Sequence, residues 1–482
     1  MKKTKFKMTG NGSGTEKSFE SSCLCASVLK KDAGTVEGGF NTETQRRRGT
    51  EFKMTEIGLI PEDWEVKRLG EMFELSAAGD LQFECSSREK TDLNIYPIYS
   101  NSIENAGLYG FTSNPRYSAD SITITGRGTL GHAEYRAVDF DAIIRLIIMK
   151  PLRVVDGRYV TFQINYCSPF HFEITSIPQL TVPQVANSLI PVPPLAEQKK
   201  IAEALSDVDE LLAAMTTLIE KKRAIKQGAM QGLLTGKKRL PGFGGKSLRS
   251  LRPLRDKKSP TENAEIAEFK QTELGEIPVD WEVKRLGDCG FCFNGITGKS
   301  GNDFGHGKSR YITFLNVLTN IVIDSSILEL VNICSNEKQN EVRQGDIFFN
   351  TSSETPEEVG LCAVLEEDVK SVYLNSFCFG FRITDNDVSG KFLAYWFRSA
   401  AGRTLMTTLA QGSTRYNLSK ESFRGAYVCI PPSLAEQKAI AEVLSDMDAE
   451  IEALEAKRAK YESIKQGMMQ ELLSGKTRLK GA

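Results

Sequence analysis

Histidine is scarce in this 482-residue chain, with only His132, His171 and His306 present. Acid–base catalysis and metal binding both draw on histidine, and none of the three recurs at an equivalent place in the internal repeat described below. Long apolar runs are also missing. No stretch of about 18 apolar residues exists, so no membrane span is expected. The basic start, Lys2 to Lys7, leads into Asn11-Gly-Ser-Gly rather than an apolar segment, which argues against secretion. Net charge is nearly absent too, 61 Lys and Arg against 62 Asp and Glu, so the total offers no overall attraction to polyanions. The ten cysteines are scattered singly, as expected for reduced thiols in a cytoplasm. Charged content of 26% and aromatic content of 9% are those of ordinary globular protein, and the length allows three or four structural units.

Several segments imitate catalytic motifs and stop short of them. Gly126-Arg-Gly-Thr-Leu-Gly131 has the spacing of a dinucleotide loop, but His132–Val138 continues as strand-like sequence where a helix should open. Gly298-Lys-Ser300 and Gly307-Lys-Ser309 resemble the end of a phosphate-binding loop, with Phe293 and Asn302 where its first glycine belongs. Asn114-Pro-Arg-Tyr117 approaches the Asn-Pro-Pro-Tyr of adenine methyltransferases, with Arg116 replacing the second proline and no Gly-rich cofactor strand before it. Cys289-Gly-Phe-Cys292 has metal-ligand spacing without a second pair, so two half-buried strand cysteines are the simpler reading and no metal site is assigned. No nucleophile–base pair is assembled, and no catalytic residue is assigned.

An internal duplication is what the chain does contain. Glu51–Gly70 returns at Glu268–Gly287 with 16 of 20 positions identical, and Leu195–Leu240 returns at Leu434–Leu479 with 26 of 46 identical. The offsets are 217 and 239 residues, so the material between differs by 22 residues, and it shows almost no similarity. The frames stayed alike while the inserts diverged.

The second repeated segments predict long helices. Ile201, Leu205, Val208, Leu212 and Met215, with Ile219 beyond, alternate steps of four and three. Ile440, Leu444, Met447, Ile451 and Leu454 do the same, the apolar spacing resuming at Tyr461, Met468 and Leu472, and such steps form a coiled-coil seam. Pro193-Pro194 and Pro431-Pro432 stop helix before these starts, and Gly236 and Gly475 stand where a left-handed terminating residue belongs. Gly228 and Gly467, inside the helices, suggest a close crossing or a partner's docking point, or simple tolerance. The inserts instead show short apolar runs between Gly, Asn, Ser and Pro turns, among them Ser121–Thr125, Ala142–Ile148 and Asp346–Phe349. Gly390–Leu409 is their clearest helical stretch.

The expected organisation is α+β. Residues 1–50 are an extension expected to be disordered, with Met54 an alternative start. Residues 51–194 form a first globular domain, 195–236 a first helix and 237–267 a linker. Residues 268–433 form a second domain, 434–475 a second helix and 476–482 a tail.

Together these features resemble the DNA-specificity subunit of type I restriction–modification systems over about 51–480. The diagnostic pieces are Ile60–Gly70 and Ile277–Gly287, the Leu-Ala-Glu-Gln-Lys starts at 195 and 434 after Pro-Pro, the Ile-Lys-Gln-Gly to Leu-Leu-[Ser/Thr]-Gly ends, and Gln411-Gly-Ser-Thr-Arg-Tyr-Asn-Leu-Ser419 before the second helix. The first insert departs from that last piece, with Thr175-Ser-Ile-Pro-Gln-Leu-Thr181 in its place. The resemblance implies a tandem, pseudo-twofold repeat of two α/β target-recognition domains joined by two long helices in an antiparallel coiled coil. It implies a cytoplasmic, non-catalytic targeting protein that binds double-stranded DNA, each domain reading half of a bipartite asymmetric sequence. Its partners would be two methylation subunits carrying S-adenosylmethionine and two restriction subunits using ATP and Mg, with no cofactor in this chain and no membrane. A methyltransferase–specificity fusion and a stand-alone coiled-coil DNA-binding scaffold are the alternatives.

Candidate DNA-reading residues follow from chemistry and position. Arg127 with Thr129 sits in a Gly-flanked loop after a strand, and arginine can take guanine bidentately. In the second insert Thr351, Ser352 and Ser353 occupy the corresponding loop, and Gln411, Ser413, Thr414, Arg415 and Tyr416 offer further contacts. Tyr99 and Asn101 are weaker candidates. Trp64 and Trp281 are expected to pack at the domain–helix junctions. Charge is unevenly spread, with 13 basic residues against one acidic in 221–258, so affinity for DNA is expected to depend on partners closing around the duplex.

Overall fold

The computed structural model describes residues 51–170, 178–243, 268–272 and 275–479. The expectations for residues 1–50, most of the linker and Thr175–Ile177 lie outside the described residues. The chain divides into two compact units, one running to Ala214 and resuming at Arg458, the other spanning Met215–Lys457. Both cuts fall inside the long helices, Leu195–Leu233 and Leu434–Leu472. Each unit therefore owns a stretch of both helices.

In the first unit a hairpin, Phe52–Thr55 with Gly58–Pro61, precedes strand Glu65–Arg68, which pairs antiparallel with Leu189–Val192. Between them lies a four-stranded antiparallel sheet in the order 73–77, 147–151, 121–124, 133–136. Helix Gly157–Cys167, which no sequence motif singled out, covers it. The side chain of Asp156 caps that helix by accepting from the amides of Arg158 and Tyr159. Tyr159, Val160 and Ile164 form its buried stripe and meet Ile122, Ile124, Ile147 and Met149 from the sheet. A second sheet, in the order 141–142, 96–99, 108–112, 86–87, flanks the first.

The second unit repeats this plan. Hairpin Phe269–Thr272 with Gly275–Pro278 leads to Glu282–Arg285, paired with Tyr427–Ile430. The main sheet runs 290–294, 378–383, 347–350, 362–364, the same order and directions as in the first unit. Helix Gly390–Arg398 covers it with Phe392, Leu393 and Trp396. The expected single helix from Gly390 to Leu409 is two helices broken at Ser399. That residue is extended (φ −71°, ψ 167°), and its hydroxyl accepts from the Gly402 amide to start the second helix, Ala400–Leu409. Gly402 lies so close to Trp396 that an added Cβ would stand 2.2 Å from its carbonyl oxygen, which holds the corner.

The predicted seam is where the helices meet each domain. In the first unit Ile201, Ala202 and Leu205 are buried together with Leu472, Leu473 and Trp64. In the second, Ile440, Ala441 and Leu444 are buried with Leu233, Leu234 and Trp281. Val208, Leu212, Met447 and Leu454 are half-buried, while Met215 and Ile451 are buried. Ion pairs give the direction. In the first unit Glu197 pairs with Arg478 (2.7 Å) and Asp209 with Lys465 (2.5 Å). In the second, Lys222 pairs with Glu450 (2.6 Å) and Lys226 with Asp448. As one helix number rises the other falls, so the segments run antiparallel within each unit.

Both tryptophans are fully buried at matched junctions, as expected. The Trp64 indole N–H donates to Glu197 (3.2 Å), and Arg478 grips Glu197 with two nitrogens (2.8 and 2.7 Å) while reaching Asp63. Arg239 does the same to Glu436 (2.6 and 2.8 Å) and Asp280 beside Trp281. Gly236 and Gly475 end the helices at φ +68° and +70°. Among the described residues nothing beyond their own helix lies within 4 Å of a Cβ added at Gly228 or Gly467, so the described residues do not make the suggested close crossing.

Candidate nucleic-acid interface

In each unit the main sheet ends in a cluster of loops built on the same scaffold. Ile124 pairs with Ile147, so the loop that follows strand 121–124 lies beside the turn that precedes strand 147–151. In the second unit Asn350 pairs with Cys378, and the same two connections are adjacent. A third segment closes on each. The Leu180 amide donates to the Gly126 carbonyl (3.0 Å), and the Leu418 amide to the Thr351 carbonyl (2.8 Å). Leu180 and Leu418 are buried, and the next residues, Thr181 and Ser419, start short helices.

Within the first cluster, residues 125–132 form a self-closed loop. The Gly131 amide donates to the Thr125 carbonyl (2.8 Å), and the Thr125 hydroxyl accepts from the His132 amide (2.9 Å) while donating to the Thr129 carbonyl. Gly128 and Gly131 have φ of +72° and +79°. The Gly-x-Gly-x-x-Gly spacing thus serves a turn between two strands. Arg127 stands exposed at its tip, its guanidinium 3.5 Å from Gln179, too long for a firm hydrogen bond. Thr129 is exposed as well.

Asn101 lies in this cluster with its amide already committed. Its oxygen accepts from the Gly126 and Arg127 amides (2.7 and 3.3 Å), and its nitrogen donates to the Ile144 carbonyl. Tyr99 is placed differently. Its ring carries the Arg136 guanidinium at 3.5 Å on one side and meets Phe140 at 5.7 Å. Burial draws Arg136 below its ordinary guanidinium pKa, and the cation is held by the Tyr99 ring together with the Thr123 hydroxyl (2.9 Å) and the Ala106 carbonyl (3.0 Å), which accept from it.

In the second cluster strand Ser352–Ser353 pairs with Tyr416–Asn417, which brings the two sequence-predicted groups together. Gln411 and Asn417 exchange backbone hydrogen bonds (2.9 and 2.8 Å) and close the loop that displays Ser413, Thr414 and Arg415 to solvent. Gly412 is required there, since φ is +133° and an added Cβ would stand 2.1 Å from the Arg415 carbonyl. The Thr351 hydroxyl donates to the Phe377 carbonyl (2.7 Å), and that of Ser353 to Glu358 (2.7 Å). Arg415 has no side-chain partner among the described residues.

The sequence matches the family described as the type I restriction modification DNA specificity domain, over residues 61–224 and again over 278–463. The chain belongs to this family. Each match encloses one loop cluster and one long-helix stretch, so the duplicated frame and the family unit coincide. Among curated relatives, the putative type I restriction enzyme MjaX specificity subunit of Methanocaldococcus jannaschii is 25% identical over 480 residues, covering 89% of this chain and 97% of its own. The EcoKI specificity subunit of Escherichia coli is 26% identical over 203 residues, 42% of this chain and 43% of its own. A solved type I restriction–modification S subunit from M. genitalium shares the fold, with a TM-score of 0.54 at 14% identity over 85% of this chain and 96% of that one.

Two features of the specificity chain were not found from sequence. Ala142–Ile148, read as one strand, is broken at Ile144 and Arg145, both at φ +57°. No glycine or asparagine marks that turn, and the only hint was one arginine inside an apolar run. Phe377, 59% exposed beside Thr351, is the corresponding surprise in the second unit.

Cys289 is fully buried at the end of the short helix Leu286–Cys289 rather than half-buried in a strand, while Cys292 is half-buried in strand Gly290–Asn294. Burial raises the Cys289 thiol and pushes Cys292 up to about 11. Burial likewise holds Cys378 and Cys429 at about 12 and Cys362 at about 11. A thiol reagent is expected to modify exposed Cys334 in the native chain, with Cys362, Cys378 and Cys429 reacting only on unfolding. Peptide mapping of the labelled protein checks this.

Proposed function

We propose that this specificity subunit reads a bipartite, asymmetric double-stranded DNA target, one half with each loop cluster, and performs no chemistry itself. The observation that carries the reading is the pairing of an identical scaffold with unlike loops. The same sheet order presents Gly126–Thr129 in one unit and Thr351–Ser353 with Gln411–Tyr416 in the other. Two readers of one geometry and different chemistry recognise two different sequences, so the target is not palindromic. Arg127 and Arg415 are the leading base readers, since a guanidinium fits the paired acceptors of guanine in the major groove. Thr129, Ser352, Ser413, Thr414 and Gln411 can add base or phosphate contacts from the same loops. Asn101 and Thr351 act on those loops from within.

The long helices, each 39 residues and about 58 Å at 1.5 Å per residue, are proposed to dock two methylation subunits. S-adenosylmethionine would then be carried by those partners, and ATP and Mg by two restriction subunits, all in the cytoplasm. No helix of the described residues is long and apolar enough to cross a membrane.

The test uses the chain assembled with its methylation subunits and a library varying each half of the target. Arg127→Ala is expected to relax base choice in one half and Arg415→Ala in the other, each by about 1–3 kcal/mol. Equal loss on all sequences would make them phosphate contacts instead.

A further inference from the structure

The turn that enters the second strand of the first unit's main sheet is built unlike an ordinary connection. In the first unit it runs from Ile143 to Leu146, both buried, with Ile144 and Arg145 exposed between them. Ile144 and Arg145 both adopt φ +57°, a conformation that turns usually assign to glycine or asparagine and that a β-branched side chain resists. Retaining two large side chains in a strained turn points to a use for them, because such strain persists only where the surroundings impose it. The surroundings here are specific. Leu146 accepts from the Ala78 amide (2.8 Å), the Ile144 amide donates to the Gly79 carbonyl (3.2 Å), and the Asn101 amide bonds the Ile144 carbonyl on one side and the Gly126 and Arg127 amides on the other. An added Cβ on Gly126 would stand 3.2 Å from the Arg145 carbonyl, so the turn and the Arg127 loop lie side by side. One asparagine therefore sets two exposed arginines against each other's loops.

The second unit also sets this turn against a reader loop, but without positive-φ residues at 375–377 and with Thr351 rather than an asparagine making the bridge. The turn before strand 378–383 is closed by Asn375, whose side-chain oxygen accepts from the Phe377 amide (2.7 Å) and whose carbonyl accepts from Cys378 (3.2 Å). The Phe377 carbonyl takes two hydrogen bonds from Thr351, on the adjacent loop, at 3.1 and 2.7 Å. Phe377 is left exposed, and Thr351 leads directly into strand Ser352–Ser353, which pairs with Tyr416–Asn417.

We infer that this turn is a second specificity-determining element in each unit, with Arg145 and Phe377 as base-contacting residues and Asn101 as the positioning residue that holds Arg145 and Arg127 in register. Arg145 suits the paired acceptors of guanine, and Phe377 suits apolar contact with a base such as the thymine methyl. The inference rests on the DNA-reading function proposed above.

The experiment measures methylation by the complex of this chain with its methylation subunits on targets carrying every single-base change in either half. Arg145→Ala is expected to reduce discrimination by about five- to 150-fold at positions in one half, the half that Arg127→Ala also affects. Phe377→Ala is expected to do so in the other half only. Asn101→Ala should relax the Arg127 and Arg145 positions together. Arg145→Lys should relax like Arg145→Ala, since it keeps the charge and loses the bidentate fork. Unchanged discrimination, a loss equal on all sequences, or full reading by the lysine variant overturns the inference. Melting temperatures matching the unaltered complex confirm that the variants are folded. A complex that marks no two-part sequence at all would instead sink the functional reading itself.

Discussion

Arg478→Ala is expected to destabilise the first unit by about 3–5 kcal/mol, and Arg239→Ala the second by a similar amount. The size follows from what each arginine leaves behind. The side chains of Arg478 and Glu197 are 7% and 3% exposed, so removing the guanidinium strands a carboxylate away from water. Glu197 would keep the Trp64 indole N–H (3.2 Å) and the Leu479 amide (3.2 Å), neither of which carries charge. Glu436 is worse placed, because the Trp281 indole N–H finds no partner among the described residues. A buried ion pair adds little net stability over an apolar pair of the same shape, but losing one partner exposes the full desolvation cost of the other. Replacing Arg478 and Glu197 together with leucine is therefore expected to recover part of the loss, the Trp64 indole N–H and the Leu479 amide then lacking their acceptor. Denaturant unfolding of both single variants and the double variant decides this, and additive losses would show that the charges are not coupled.

Two glycine substitutions eight residues apart are expected to differ in sign. Gly475→Ala should cost about 2–4 kcal/mol, combining the penalty for a side chain at φ +70° with overpacking against Pro61, whose ring carbons would stand 2.4 and 2.7 Å from the new Cβ. Gly467→Ala should instead stabilise by about 0.5–1 kcal/mol, since it lies inside helix 434–472 with nothing within 4 Å and glycine only adds unfolded-state entropy there. Gly236→Ala and Gly228→Ala should reproduce the contrast, with Pro278 in the role of Pro61. Thermal unfolding of the four variants is sufficient. Destabilisation by Gly467→Ala would mean that the isolated helix face is not as open as its geometry shows.

The frame was legible because two physical signals agree in it. Repeated peptides announced the duplication, and the helices start just after the prolines and end just before glycines of positive φ. Only part of the seam is buried, Val208, Leu212, Met447 and Leu454 being half-buried. Periodicity could not show which domain each helix end joins. Leu472 and Leu473 read only as apolar positions, yet they fill the core around Trp64, more than 400 residues earlier in the chain. The loops were legible for a similar reason. Gly, Ser and Thr after an apolar run mark a strand end, which located Arg127 and Thr351–Ser353. Hydrogen-bond destinations were not legible. Asn101 reads as a free amide in the sequence and is spent on three backbone groups in the fold. Ile144 and Arg145 were hidden because their turn is imposed by Ala78, Gly79 and Asn101, residues distant in sequence, rather than by its own composition.

Mapping methylated adenines across the genome of a host expressing this chain with its methylation subunits decides whether the two loop clusters read two different half-sequences. One two-part, non-palindromic sequence is expected, fully marked with the intact chain and unmarked without it. With Arg127→Ala one part of that sequence should become degenerate while the other stays fixed. A palindromic mark, a mark that persists without this chain, or methylation by the purified chain alone with S-adenosylmethionine would contradict the proposed function.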